Sequence, residues 1–134
     1  MSDMFCFQCQ QTAGNKGCVR TGVCGKQPAT AHLQDQLITQ LIRLAEAAER
    51  CGEHTPEASR LLIDGLFTTL TNVNFDDDAI RRFTDRVTAE EAPARAEIYR
   101  GQLQAYSDAL SRIMEMPVER RVLYFFQCGQ EISL

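Results

Sequence analysis

Six cysteines in 134 residues are the first chemistry this chain offers. Four of them, Cys6, Cys9, Cys18 and Cys24, follow the pattern C-x2-C-x8-C-x5-C, while Cys51 and Cys128 stand alone. Thiolates are soft ligands for zinc, copper and iron–sulfur centres. Cys6 and Cys9 are close enough in the chain to reach one centre from a single turn. The intervening segments are short and polar, and Gly14, Gly17 and Gly25 let the backbone wrap closely and aim amides at sulfur. No histidine lies between Cys6 and Cys24; His32 comes later. The x8 and x5 spacings are wider than those of a zinc knuckle. By spacing alone an iron–sulfur centre ranks first, with cubane and two-iron forms both open, zinc second and disulfides third. Residues 5–28 carry Lys16, Arg20 and Lys26 and no carboxylate, which suits the negative charge of a four-thiolate centre.

Helices must position this loop. Apolar residues at Leu33, Leu37, Ile38, Leu41, Ile42, Leu44, Ala45 and Ala48 form one face of a first helix, with Thr30 as the expected N-cap and Gly52 as its end. Thr55-Pro56-Glu57 predicts the next start, followed by Leu61, Leu62, Leu66, Phe67 and Leu70 and a stop near Asn72–Asn74. Asp76 or Asn74 caps a short third helix carrying Ile80, Phe83 and Val87. Thr88-Ala89-Glu90-Glu91 reads as a capping box for a fourth helix, or that helix starts at Pro93. Ile98, Leu103, Ala105, Tyr106, Ala109, Leu110, Ile113 and Met114 are expected to face inward along it, and Pro117 closes it. The run Val122–Phe126 is strand or helical turn, undecidable by periodicity, and Gly129 predicts a turn. The expected fold is all-α: a cysteine-rich loop over 1–28, a bundle of about four helices over 29–116 and a divergent tail over 117–134, in one domain spanning 1–134.

The net charge is −4, with 44% hydrophobic and 24% charged residues. This balance excludes a strongly basic nucleic-acid binder and an acidic disordered chain. No apolar run approaches a membrane span, and the N-terminus has no signal-peptide pattern, so a cytoplasmic location is expected. No nucleotide-binding glycine motif and no Ser/His/Asp order is present.

The segment FCFQCQQTAGNKGC, residues 5–18, resembles the N-terminus of the hybrid cluster protein (prismane, hydroxylamine reductase) family. The likeness continues through VCGK at 23–26, LQDQLI at 33–38 and LFTTLTNVNFDD at 66–77, and fades toward residue 115. The resemblance implies a [4Fe–4S] cubane on Cys6, Cys9, Cys18 and Cys24, where relatives with longer spacings hold a [2Fe–2S] cluster. It also implies a redox partner protein. Family enzymes are several times longer and hold their catalytic hybrid cluster in later domains, so the expectation here is one-electron delivery without hydroxylamine reduction. Alternatives are a cluster-based redox, oxygen or NO sensor, and a fragment of a longer reductase.

For single residues, Cys51 is expected as a half-buried small side chain and Cys128 as a free thiol. His32 is either a first-turn helix residue or a donor to cluster sulfur; His54 belongs to an exposed loop. Asp76–Asp78 and Glu90-Glu91 are read as helix starts. Phe5 and Phe7 are expected as apolar cover, and Leu123–Phe126 as the surface for any homo-oligomer.

Overall fold

The computed structural model describes residues 3–52, 54–70, 74–126 and 128–134. Helices dominate, in the order α1 (Pro28–Cys51), α2 (Pro56–Thr68) and α3 (Asp77–Met114), followed by strands β1 (Val122–Phe125) and β2 (Gln130–Ser133). Among the described residues no helix is long and apolar enough to cross a membrane.

Pro28 occupies the first turn of α1, where its missing N–H costs nothing, and Gln27 stands at the N-cap. Thr30, expected as the cap, lies one turn inside, and its hydroxyl donates to Asp77 at 2.7 Å, tying the start of α1 to the start of α3. Gly52 ends α1 in the left-handed conformation. Thr55 caps α2 as its sequence predicts, accepting from the Ala58 amide at 2.9 Å. α2 stops at Thr68, short of the expected Asn72–Asn74; residues 71–73 lie outside the described residues. Asp76 caps α3, accepting from the Asp78 and Ala79 amides.

The expected third and fourth helices are one. α3 runs 38 residues, straight through Pro93. Thr88 is not a cap, because its hydroxyl donates to the Thr84 carbonyl at 2.9 Å as a mid-helix threonine does. Glu91 is not the other half of a capping box either, because it is buried against Arg95 inside α3, while Glu90 accepts from the Thr55 hydroxyl at 2.8 Å. Val87, Ala92 and Ala96 are buried on both sides of the proline. Packing against α1 on either flank outweighs the lost backbone bond and the ring clash.

Leu37, Leu41 and Leu44 of α1, Ala58 and Leu61 of α2, and Ile80 and Val87 of α3 form the core. The inward face expected further along α3 does not exist in full: Tyr106, Leu110, Ile113 and Met114 are exposed, and Ala96 is the last buried residue of the helix. The tail turns back as an antiparallel hairpin, Val122 opposite Ser133 and Phe125 opposite Gln130, with Gly129 in the turn at φ 65°. It is the one departure from an otherwise helical architecture among the described residues.

Candidate metal centre

The cysteine loop folds back on itself before it enters α1. Cys6 and Cys18 face each other as an antiparallel bridge, their backbones bonded in both directions at 3.0 and 2.8 Å. Met4 and Cys18 pack against Ala31 of α1, with Cys6 beside them. This small apolar contact docks the loop onto the helix.

Between the bridged cysteines the chain makes a tight turn at Ala13–Asn15, closed by the Asn15 amide on the Thr12 carbonyl and the Lys16 amide on the Ala13 carbonyl. The Thr12 amide bonds the Cys9 carbonyl at 3.3 Å, and its hydroxyl donates to the Cys6 carbonyl at 3.2 Å. Gly17, at φ 104°, lies under the Phe5 ring, so any side chain there meets both a strained backbone and the ring.

This turn aims donors at sulfur. The Ala13 amide points to Cys18 Sγ at 3.4 Å, and the Thr12 hydroxyl lies 3.8 Å from it. The Ala13 and Val23 amides hold the Cys18 thiol below its ordinary range; burial opposes them, and Thr12 and the Lys26 charge assist. Cys18 is only 4% exposed, so these groups act on a sulfur in the interior.

Cys24 sits in a second turn, closed by the Gly25 amide on the Gly22 carbonyl and the Gly22 amide on the Lys26 carbonyl at 2.7 Å. A Cβ on Gly22 would stand 3.0 Å from both Cys24 Sγ and the Lys26 side chain, so this position needs glycine. Lys26 is 1% exposed. Its ammonium donates to Gln8 Oε1 at 2.9 Å and reaches toward Cys6 Sγ at 3.9 Å. A buried ammonium needs polar partners, and Gln8 Oε1 and Cys6 Sγ are the ones in reach. Of the three cations in the loop, Lys26 turns inward while Lys16 and Arg20 are exposed.

A cavity of about 250 Å³ opens beside Cys6, Gln8, Lys26 and Gln34. Gln34 donates to the Asn74 carbonyl at 3.1 Å, and its Oε1 is buried without a partner. Sequence reasoning missed Gln8, Thr12 and Gln34. Thr12, three residues past Cys9 in a glycine-rich turn, carried the signal of a local hydroxyl donor.

Cys6, Cys9 and Cys24 are half-buried, and all six cysteines are free thiols, so none forms the disulfide ranked third. Among the described residues no three Cys, His, Asp or Glu side chains stand together so as to hold one metal ion. A single zinc gathers four donors within about 2.3 Å of one point. A multi-iron cluster asks for less convergence, because its thiolates are shared among several irons. Donors aimed at Cys18, a buried cation beside Cys6 and glycine at the Cys24 turn fit the outer shell of such a centre.

The remaining candidates stand elsewhere. The Cys51 thiol is half-buried and donates to the Ala94 carbonyl at 3.2 Å, a tie between α1 and α3. Cys128 lies in the hairpin turn, its sulfur 3.8 Å from the Phe125 carbonyl. His32 is exposed on α1, and His54 is exposed 3.7 Å from Glu49. Phe5 and Phe7, expected as apolar cover, are 61% and 55% exposed. Glu91, read as a helix start, is buried inside α3 against Arg95 at 3.2 Å.

The sequence profile of the Prismane/CO dehydrogenase family matches residues 4–121. The chain is 43% identical over 111 residues to a hydroxylamine reductase of Methanocella arvoryzae, covering 79% of this chain and 20% of that protein. It is 49% identical over 81 residues to a hydroxylamine reductase of Desulfovibrio desulfuricans, covering 58% of this chain and 15% of that protein. With one from Porphyromonas gingivalis it shares 36% identity over 124 residues, 89% of this chain and 20% of the relative. The chain therefore spans about a fifth of the length of the curated relatives it matches. Since the profile runs from the start of the cysteine loop to the edge of the hairpin, the chain belongs to the Prismane/CO dehydrogenase family.

Proposed function

We propose that residues 3–27 hold one [4Fe–4S] cluster through Cys6, Cys9, Cys18 and Cys24, and that the chain exchanges single electrons with a redox partner protein. The observation that carries this reading is the Ala13 amide aimed at the interior Cys18 Sγ, with the buried Lys26 ammonium beside Cys6 Sγ. An amide N–H aimed at an interior sulfur favours its thiolate form.

A bound cluster of this type supplies a one-electron couple whose potential follows charge and hydrogen bonds at its sulfurs. The chain's own residues set those quantities. Lys26 offsets negative charge beside Cys6 while Gln8 fixes its ammonium. Thr12 holds the Cys6 carbonyl and the Cys18 sulfur in one geometry. Met4 and Ala31 exclude water on the helix side. The outer side carries Phe5, Phe7 and Val23, exposed at 61%, 55% and 60%. These side chains are the docking face we assign to the partner, which must come close to the sulfurs for electrons to pass. Hydroxylamine reduction, named for the relatives, is not assigned to these residues.

Anaerobic purification followed by iron, acid-labile sulfide and zinc analysis tests the reading. About four irons and four sulfides per chain, the cubane stoichiometry, are expected. Zinc without sulfide overturns it.

A further inference from the structure

At the end of α1 far from the cysteine loop, α1, α3 and the hairpin surround a cavity of about 510 Å³ that Cys128 also lines. Small-molecule sites run to roughly 300–1,000 Å³. The space follows from the sequence. Ala47 on α1 and Thr88 and Ala92 on α3 are buried and small, so the helices face each other there without side chains to fill the gap. Tyr124 and Phe125 of β1 close the third side.

The rim is basic. Arg43 and Arg50 stand seven residues apart on one face of α1, and Arg95 faces them from α3. Arg95 is held by Glu91, which is 2% exposed. Arg43 and Arg50 enter no ion pair among the described residues. Glu46 lines the same cavity and is its opposing charge. Two guanidiniums that make no ion pair among the described residues, beside aromatic side chains, are a recognisable combination. Guanidinium groups select planar or tetrahedral oxyanions through paired N–H donors, and aromatic walls select rings.

We propose that this cavity binds a small aromatic oxyanion, a ring carrying one phosphate or carboxylate, with the charged group at Arg43 and Arg50 and the ring against Tyr124 and Phe126, whose rings meet edge to face at 4.9 Å. A neutral ring leaves the rim's excess of arginines over glutamates uncompensated, and a bare anion leaves the aromatic side chains wet. Arg43 lies fifteen residues into α1, about 22 Å along the helix from its start. The site is therefore separate from the cysteine loop, and its failure would leave the cluster reading untouched. Tyr124 and Phe126 also lie beyond residue 121, where the family match ends.

Isothermal titration of the full chain with phenyl phosphate, inorganic phosphate and phenol tests the proposal. Phenyl phosphate is expected to bind saturably at one per chain, with inorganic phosphate and phenol each about tenfold weaker or worse. Arg43→Gln and Arg50→Gln should each weaken phenyl phosphate by about tenfold. Glu46→Gln, on an exposed side chain, should tighten it, an effect that a purely structural role for this face would not produce. Circular dichroism and iron content check that each variant folds. No saturable binding, equal affinity for inorganic phosphate, or unchanged affinity in the double arginine variant overturns the proposal. So does unchanged or weakened binding in Glu46→Gln.

Discussion

In the helices, Leu37, Ile80 and Val87 have no exposed surface, and Leu41, Leu44 and Leu61 have 2%. In the loop of residues 3–27, Met4 and Cys18 are the only buried apolar side chains among those described. The helices are held by apolar burial, which needs nothing from outside the chain. The loop is held by backbone bonds between Cys6 and Cys18, two glycine-dependent turns and donors collected at sulfur. Too little area is buried there to offset the conformational entropy of some 25 ordered residues. The contrast locates folding energy in one region and chemistry in the other, with Met4, Cys18 and Ala31 as the seam between them.

If that division holds, the largest effect comes from Cys18→Ser. Iron and sulfide per chain should fall to near zero, and protease should cut within residues 3–27 while far-ultraviolet helicity persists. Retained iron removes Cys18 from the ligand set; lost helicity means that the core depends on the loop and the division is wrong. Leu37→Ala attacks the other side. It should cost about 2–5 kcal/mol in urea unfolding, with the iron content of the folded protein unchanged.

Lys26→Met sharpens the comparison without breaking either half. Removing a cation 3.9 Å from Cys6 Sγ disfavours the more negative, reduced state, so the midpoint potential should drop, on the order of tens of millivolts. An unchanged potential would make Lys26 a packing residue only. Asp76→Ala, by contrast, deletes the α3 cap and should cost about 1 kcal/mol, with no change in potential.

Much of this was legible in the sequence because it is local. The Cys6–Cys24 spacing, the Thr55-Pro56 start, the Gly52 stop and the Asp76 cap each rest on a few adjacent residues. What was not legible depends on partners distant in sequence. Pro93 announces a break, yet Val87 before it and Ala92 and Ala96 around it are buried, and α3 runs through it. Thr88 and Glu91 spell a capping box, but Thr88 bonds back to Thr84 inside the helix and Glu91 is buried against Arg95. Leu110, Ile113 and Met114 have helical spacing and nothing buries them. The run Val122–Phe126 fits strand or helix equally until its pairing with Gln130–Ser133 decides it. In the loop the cysteines were visible and their donors were not, because amides carry no side-chain identity.

The smallest expected effect concerns Glu91, the charged group that the helical region buries. Burial raises its carboxyl above the ordinary value of 4.5, and Arg95 and Arg43 pull it back only in part. The folded state thus binds the proton more tightly than the unfolded state does. Stability from this group is present below pH 4.5 and is lost as pH rises through the higher folded value. Glu91→Gln removes the titration and keeps the shape. Against the parent, its unfolding free energy should gain ground between pH 4 and pH 7, while iron content stays constant. Parallel curves would mean that Arg95 and Arg43 neutralise the burial in full, and that the core of α1 and α3 tolerates an ion pair as readily as it does apolar contact.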